Sequence, residues 1–233
     1  MTLKYVRVWD GPTRVFHWSL AVLVLVVFVT GLQGGNWMVW HERAGLAILG
    51  LLAFRLVWGF VGSTHARFAD FVPTPTRVLD YTRGRWHGLG HNPLGALSVL
   101  ALLGVLLFQA LSGVFANDDI AFEGPLYALV SKGLSDNLAG LHRQAIWLIG
   151  GLIALHIVAA LFYTLVRRQN IIRAMVTGVK AVGTEADPSW TQPARGGGVV
   201  ALLMALAVAK GVVWVGAGGL LAPPPPPPPP PAW

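Results

Sequence analysis

Five long apolar stretches constrain the fold of this chain more than any other feature of its sequence. Each is long enough to cross a hydrocarbon core of about 30 Å, which takes roughly 20 helical residues. Because backbone polar groups inside lipid must be satisfied internally, these stretches predict transmembrane α-helices. The content of 55% hydrophobic and 12% charged residues agrees with a small polytopic membrane protein. We place the segments at Val15–Leu32, His41–Val61, Pro93–Ala116, Leu138–Val166 and Val199–Leu221.

The basic residues between these segments predict how the chain is oriented. Three precede the first segment, four lie between the second and third, and five lie between the fourth and fifth, against Lys132 alone in the opposite loops. By the positive-inside rule, we expect a cytoplasmic N-terminus and a C-terminus on the opposite side of the membrane. The basic residues form no continuous basic face, so membrane lipid rather than nucleic acid is the expected partner.

The loop between the third and fourth segments is acidic instead. It carries four acidic residues against one lysine, Lys132, so we expect a cationic partner to dock there. The acidic residues are Asp118, Asp119, Glu123 and Asp136.

The lack of cysteine and the positions of the histidines limit the chemistry that this chain can perform. It has no cysteine, which excludes disulfides, zinc–thiolate sites, iron–sulfur clusters and covalently attached c-type haem. Four of its seven histidines lie within the apolar segments, where an ionisable group is costly and is a functional candidate by default. These four are His17, His41, His142 and His156.

The depths of these four histidines form a pattern. His142 and His156 lie fourteen residues apart on one predicted helix, which corresponds to about 1400° of rotation and roughly 21 Å of rise. They therefore face nearly the same way, His156 level with His17 and His142 level with His41. Two bis-histidine haems stacked across a bilayer require this arrangement. From the residues alone, a proton relay and a metal-ion pathway remain alternatives.

Several ordered motifs resemble the bacterial cytochrome b561 family, and more distantly the cytochrome b subunits of nickel–iron hydrogenases and formate dehydrogenases. The similarity covers about residues 5 to 181. The motifs are VWDGPTRVFHW, HERAGLAILGLLAFRLVWGFVGSTHARFADF, GHNPLGALSVLALL and LHRQAIWLIGGLIALHIVAALFYTLVRRQNIIRAMVTGVK.

This resemblance implies an all-α integral membrane four-helix bundle that binds two non-covalent b haems. Carried over by position, its ligands correspond to the same four histidines, with the two irons roughly 20 Å apart along the predicted helix. The implied localisation is a bacterial inner (plasma) membrane, with the C-terminus in the periplasm. The implied function is electron transfer between the quinone pool and a redox partner, for which a periplasmic c-type cytochrome is our first expectation. Alternatives are a membrane-anchoring subunit of a larger redox or hydrogenase-like complex, a stand-alone superoxide:quinone oxidoreductase, and a haem-free transporter or assembly protein.

Further polar residues lie at informative depths. His91 opens the third segment and is expected to hydrogen-bond or cap rather than ligate, while His65 and His87 are expected to be solvated. Four arginines are expected to pair with haem propionates through bidentate forks, although snorkelling to lipid phosphate is the alternative. These arginines are Arg14, Arg43, Arg55 and Arg143.

The C-terminal part departs from the family pattern. We divide the chain into a membrane domain (1–181), a cytoplasmic linker (182–198), an additional transmembrane helix (199–221) and a polyproline tail (222–233). Lys210 lies in the middle of the added helix. The nine prolines favour a polyproline II rod of about 28 Å, which is either a spacer or a docking element in a larger complex.

Overall fold

The computed structural model of the chain describes residues 3–120, 122–183 and 191–221. Within these residues, five helices are long and apolar enough to cross a membrane. The predicted fold class, a helical membrane bundle with a fifth helix, is therefore confirmed. In chain order the helices are α1 (Gly11–Gln33), α2 (Met38–Val61), α3 (Phe68–Phe71), α4 (Pro75–Thr82), α5 (Pro93–Gly113), α6 (Lys132–Leu165), α7 (Ile171–Thr177) and α8 (Val199–Gly216).

Side-chain caps explain why two spanning helices begin earlier than predicted. The carboxylate of Asp10 accepts a hydrogen bond from the backbone N–H of Thr13 at 2.6 Å, so α1 begins at Gly11. In the same way Ser131 caps α6 through the N–H of Leu134. Such caps satisfy backbone donors that the first helical turn leaves free. The apolar pattern predicts the spans, and the preceding polar residue fixes their starts.

The spanning helices pack as two hairpins with an added helix. Helix α1 packs against α2, and α5 packs against α6, while contacts between α2 and α5 join the two hairpins. Helix α8 lies along α2, where Ala205 is fully buried in a cluster with Phe54 and Trp58. The fifth helix is thus an integral part of the packed membrane bundle.

A two-stranded ribbon that the sequence did not predict covers one end of the bundle. Strand β1 (Leu3–Arg7) pairs antiparallel with β2 (Val179–Gly183). Behind it, Val6 and Trp9 are buried against Ala174 of α7. We call this end of the bundle, where α1 begins, the ribbon end. The opposite end, where α1 ends and α5 connects to α6, is the loop end.

The residues before α8 are attached to the ribbon end. The backbone N–H of Thr64 donates to the carbonyl of Arg195 at 2.8 Å, and Gly196 forms an isolated β-bridge with Ser63. The domain boundaries stated above stay predictions. The proline run at 223–231 lies outside the described residues.

Candidate functional site

The four intramembrane histidines form two facing pairs. At the ribbon end, the ring centroids of His17 on α1 and His156 on α6 are 6.3 Å apart. At the loop end, those of His41 on α2 and His142 on α6 are 6.0 Å apart. The structure therefore brings together the same pairs that depth alone predicted.

Both separations suit one metal ion held between two imidazoles. Two ring nitrogens that lie about 2 Å from a metal ion on opposite sides put the ring centroids roughly 6 Å apart. The separation within each pair is therefore compatible with an iron that its two imidazoles would hold.

Hydrogen bonds fix the tautomer of both histidines at the loop end. Nδ1 of His41 lies 3.0 Å from the carbonyl oxygen of Val27, and Nδ1 of His142 lies 3.0 Å from that of Gln109. A carbonyl can only accept, so in both rings Nδ1–H is the donor. Each Nε2 consequently keeps its lone pair for a metal ion.

Two hydroxyls that the sequence analysis missed lie beside these bonds. The hydroxyl of Thr30 is 3.4 Å from Nδ1 of His41, and that of Ser112 is 3.2 Å from Nδ1 of His142. Both side chains are buried. The available sequence signal was a hydroxyl residue followed by glycine near the end of two predicted helices.

A cavity of about 580 Å³ occupies the loop end between the two hairpins. His41 and His142 line it together with mostly apolar residues, and Glu42 and Arg143 are among the few charged ones. Ligand pockets commonly have volumes of about 300–1,000 Å³ and an apolar lining with a few polar groups. The cavity therefore has the size and character of a cofactor site.

The histidines at the ribbon end have a different environment. Nδ1 of His17 is buried with no hydrogen-bond partner within the described residues, and its ring meets the indole of Trp18 edge-on at 5.0 Å. No hydrogen bond to His156 is found within 3–120, 122–183 and 191–221. Here neither ring is oriented by a backbone carbonyl, in contrast to the loop end.

The four arginines singled out from the sequence lie in four different settings. Arg143 lines the loop-end cavity, whereas Arg43 is exposed and stacks on Trp40 with its guanidinium 5.2 Å from the ring centroid. At the ribbon end, Arg14 donates to a backbone carbonyl of α7 at 2.9 Å. Arg55 is only 3% exposed, and its guanidinium lies over Phe68 and Phe71.

His91 does not cap α5, contrary to the prediction. The cap is Asn92, whose side-chain oxygen accepts from the N–H of Gly95 at 2.7 Å. His91 instead packs between Trp9 and Phe71, with ring centroids 4.6 and 4.7 Å away, and its buried Nδ1 has no partner in the described part of the chain. Burial, together with the charge of neighbouring Arg55, lowers the pKa of His91 to about 3.

The prediction that His65 is solvated is wrong, whereas His87 is exposed as expected. Nδ1 of His65 lies 3.2 Å from the carboxylate of Asp70, and Nε2 lies 3.2 Å from the carbonyl of Gln192. Its side chain is therefore only 12% exposed. The side chain is covered by the segment before α8, which contacts His65 although it lies 127 residues later in the sequence.

The acidic loop is partly neutralised from within. The ammonium group of Lys132 lies 2.7 Å from Asp119 and 2.9 Å from Asp136. The carboxylate of Asp118 accepts hydrogen bonds from the backbone N–H groups of Ile120 and Phe122, both at 2.9 Å. These acids therefore shape the loop as well as charging its surface.

Comparisons with known proteins identify relatives of this chain. Residues 8–178 match the family model of the prokaryotic cytochrome b561, a range that ends before α8. A probable Ni/Fe-hydrogenase B-type cytochrome subunit of Rhizobium leguminosarum bv. viciae is 27% identical over 78% of this chain and 91% of its own length. The corresponding protein of Escherichia coli (strain K12) is 23% identical over 75% and 90%.

A third relative of the same description, from Azotobacter vinelandii, is 26% identical over 74% of this chain and 87% of its own length. No solved structure matches the chain at a significant level. Since the family model covers most of the chain, this membrane protein is a b-type cytochrome and belongs to the prokaryotic cytochrome b561 family.

Proposed function

We propose that this chain carries electrons across the membrane by holding two b haems, one between His17 and His156 and one between His41 and His142. The observation that carries the proposal is the pair of facing imidazoles at each end of α6. Haem b, when bound, supplies a one-electron Fe(III)/Fe(II) couple. The chain supplies ligands, a low dielectric and a spacing of roughly 21 Å along one helix.

Buried guanidinium groups support this assignment, because haem carries two propionates. At the ribbon end, Nε of Arg14 and Nη1 of Arg55 are buried without a hydrogen-bond partner within the described residues. Such donors pair well with carboxylates. At the loop end, Arg143 lines the cavity and has the same role in the proposal. Arg43 would have to leave Trp40 to reach a propionate, so we expect it to contribute least.

We further propose that the ribbon end faces the cytoplasm of a bacterium and the loop end faces the periplasm. The distribution of basic residues supports this orientation, and the C-terminus would then be periplasmic. Quinone or quinol is the proposed membrane substrate. A periplasmic c-type cytochrome is the proposed soluble partner, since the loop retains a net charge of −3 from four acids and one lysine.

A second candidate function is that of a membrane-anchoring cytochrome subunit in a larger redox complex. The curated relatives, which are probable Ni/Fe-hydrogenase B-type cytochrome subunits, favour it. The added helix favours it as well, because Lys210 is exposed in the middle of α8. A charge in hydrocarbon is costly, and an acidic group on a partner helix would neutralise it.

A spectrum of the purified chain tests the central proposal. We expect a reduced-minus-oxidised b-type signal and two haems per chain when haem is supplied during expression. Absence of that signal would overturn the proposal. Isolation of a tagged chain under mild detergent then separates the two candidate functions. Co-isolated redox subunits indicate a membrane-anchoring subunit. A lone chain that exchanges electrons with quinol and a c-type cytochrome indicates electron transfer between these two partners.

A further inference from the structure

The ring of His41 lies in a notch on the surface of α1. We define the first notch by Val27, Thr30 and Gly31. Nδ1 of His41 is 3.0 Å from the carbonyl oxygen of Val27, and the buried Thr30 hydroxyl lies beside it at 3.4 Å. A Cβ atom added at Gly31 would be only 2.9 Å from Cε1 of the ring. The ring thus occupies the space that a side chain at position 31 would take.

The ring of His142 lies in a second notch of the same design, on α5. We define the second notch by Gln109, Ser112 and Gly113. Nδ1 of His142 is 3.0 Å from the carbonyl oxygen of Gln109 and 3.2 Å from the Ser112 hydroxyl. A Cβ atom at Gly113 would again be 2.9 Å from Cε1 of the ring. Carbonyl, hydroxyl and glycine therefore recur at positions i, i+3 and i+4 in both hairpins.

Helix geometry explains why these three positions make a notch. A helical carbonyl at position i is bonded to the N–H at i+4. The side chains at i+3 and i+4 lean back over it, because side chains tilt toward the N-terminus. Glycine at i+4 and a small hydroxyl residue at i+3 leave the carbonyl open to a second donor. Most other residue pairs would cover it.

We infer that the two notches are positioning elements that fix His41 and His142 as Nδ1–H tautomers and thereby lower the reduction potential of the loop-end haem. This inference rests on the proposed haem function. Donation from Nδ1–H makes an imidazole ligand more basic, and a more basic ligand favours ferric over ferrous iron. At the ribbon end, Nδ1 of His17 has no hydrogen-bond partner within the described residues, and no hydrogen bond to His156 is seen there. The loop-end potential is therefore the lower of the two.

Substitution at the notch glycines tests this inference in the full-length, haem-loaded protein. In Gly113→Ala and Gly31→Ala the new methyl group displaces the histidine ring and lengthens the hydrogen bond from Nδ1–H to the helix carbonyl. We expect the affinity of the loop-end site for haem to fall about 10- to 100-fold. In the haem that remains, a tenfold loss of preference for the ferric state corresponds to a rise of about 59 mV. Haem per chain, redox titration and low-spin electron paramagnetic resonance give the readouts.

Matched variants separate positioning from general damage. Gly104→Ala adds the same methyl group to α5 at an exposed site with no atom within 4 Å, and it should leave haem content and both potentials unchanged. Thr30→Ser keeps the hydroxyl and should match the wild type, whereas Thr30→Val, which adds no bulk, should raise the loop-end potential.

The outcomes distinguish the inference from the proposed function. A wild-type protein without haem overturns the proposed function. A haem-loaded wild type whose notch variants behave like Gly104→Ala, or whose loop-end potential is the higher of the two, overturns the inference alone.

Discussion

The two ends of the bundle differ in how they hold their pair of facing histidines. At the loop end an open cavity separates the hairpins, and backbone carbonyls fix both histidines. At the ribbon end the bundle is packed under the β1–β2 ribbon and the segment before α8, and polar side-chain atoms remain buried without a partner within the described residues. Seven of the eight such atoms are at the ribbon end, on Thr13, Arg14, His17, Arg55, Ser63, His91 and Thr164.

This contrast shows two ways to prepare a protein for a cofactor. A satisfied ligand is oriented before the cofactor arrives, and its tautomer is set by the fold. Unpaired buried donors are costly and are instead available to an added group that carries carboxylates. We expect the loop end to control ligand orientation and the ribbon end to control the recognition of propionates.

The largest expected effect comes from removing one ligand at either end. His156→Ala should eliminate the ribbon-end haem and leave the loop-end haem, while His142→Ala should do the reverse, because each histidine faces a single partner. Haem per chain should fall from two to one in each variant, and redox titration should lose a different component in each. His87→Ala, at an exposed histidine, is the control. Loss of both haems from either single variant would contradict independent sites.

A smaller effect is expected from removing the side chain that joins α1 to α2 by a hydrogen bond at the ribbon end. Asp10 caps α1 and also accepts a hydrogen bond from the indole of Trp58 at 3.0 Å. Asp10→Ala should lower the free energy of unfolding by about 2 to 4 kcal/mol through loss of both bonds. Thermal unfolding in detergent, followed at each haem component, is the measurement. Asp10→Asn keeps one acceptor oxygen, which can still cap α1, and should lose less stability. Equal melting of Asp10→Ala and Asp10→Asn would refute this account.

Acid should weaken the ribbon end through His91. The pKa of about 3 in the folded protein lies below the unfolded value of about 6.5, so the unfolded chain binds the proton more readily between these values. Stability is therefore retained above pH 6.5 and lost as the pH falls, by about 2 kcal/mol at pH 5. Denaturant unfolding at pH 7 and pH 5 measures the loss. His91→Phe should reduce it, and an unchanged loss would exclude His91 as its source.

The smallest expected effect concerns the surface of the loop end. Lys132→Ala removes the cation between Asp119 and Asp136 and changes the loop charge from −3 to −4. Reduction of a basic c-type cytochrome should become a few-fold faster at low ionic strength and lose that advantage at high salt. Lys4→Ala makes the same charge change at the ribbon end and should have no effect. Slower reduction by Lys132→Ala would argue against electrostatic docking at this loop.

Sequence periodicity and depth were sufficient to predict the spans and to pair the four histidines. They could not reveal the carbonyl acceptors of His41 and His142. A helical carbonyl can accept a second hydrogen bond only where the side chains at i+3 and i+4 leave it open, and sequence periodicity does not report this. The surroundings of His65 and the pairing of β1 with β2 depend on contacts across more than a hundred residues. Local patterns carry no information on such contacts.

The ribbon also sets an order of events during synthesis. Strand β1 leaves the ribosome first, but β2 follows only after the four helices of both hairpins have been made. At about 5 to 20 residues per second, the 171 residues between Arg7 and Val179 take roughly 10 to 35 s. During that interval the N-terminal strand lacks the partner strand of the ribbon. Pairing of the ribbon is thus a late step of biogenesis, which follows the synthesis of both hairpins.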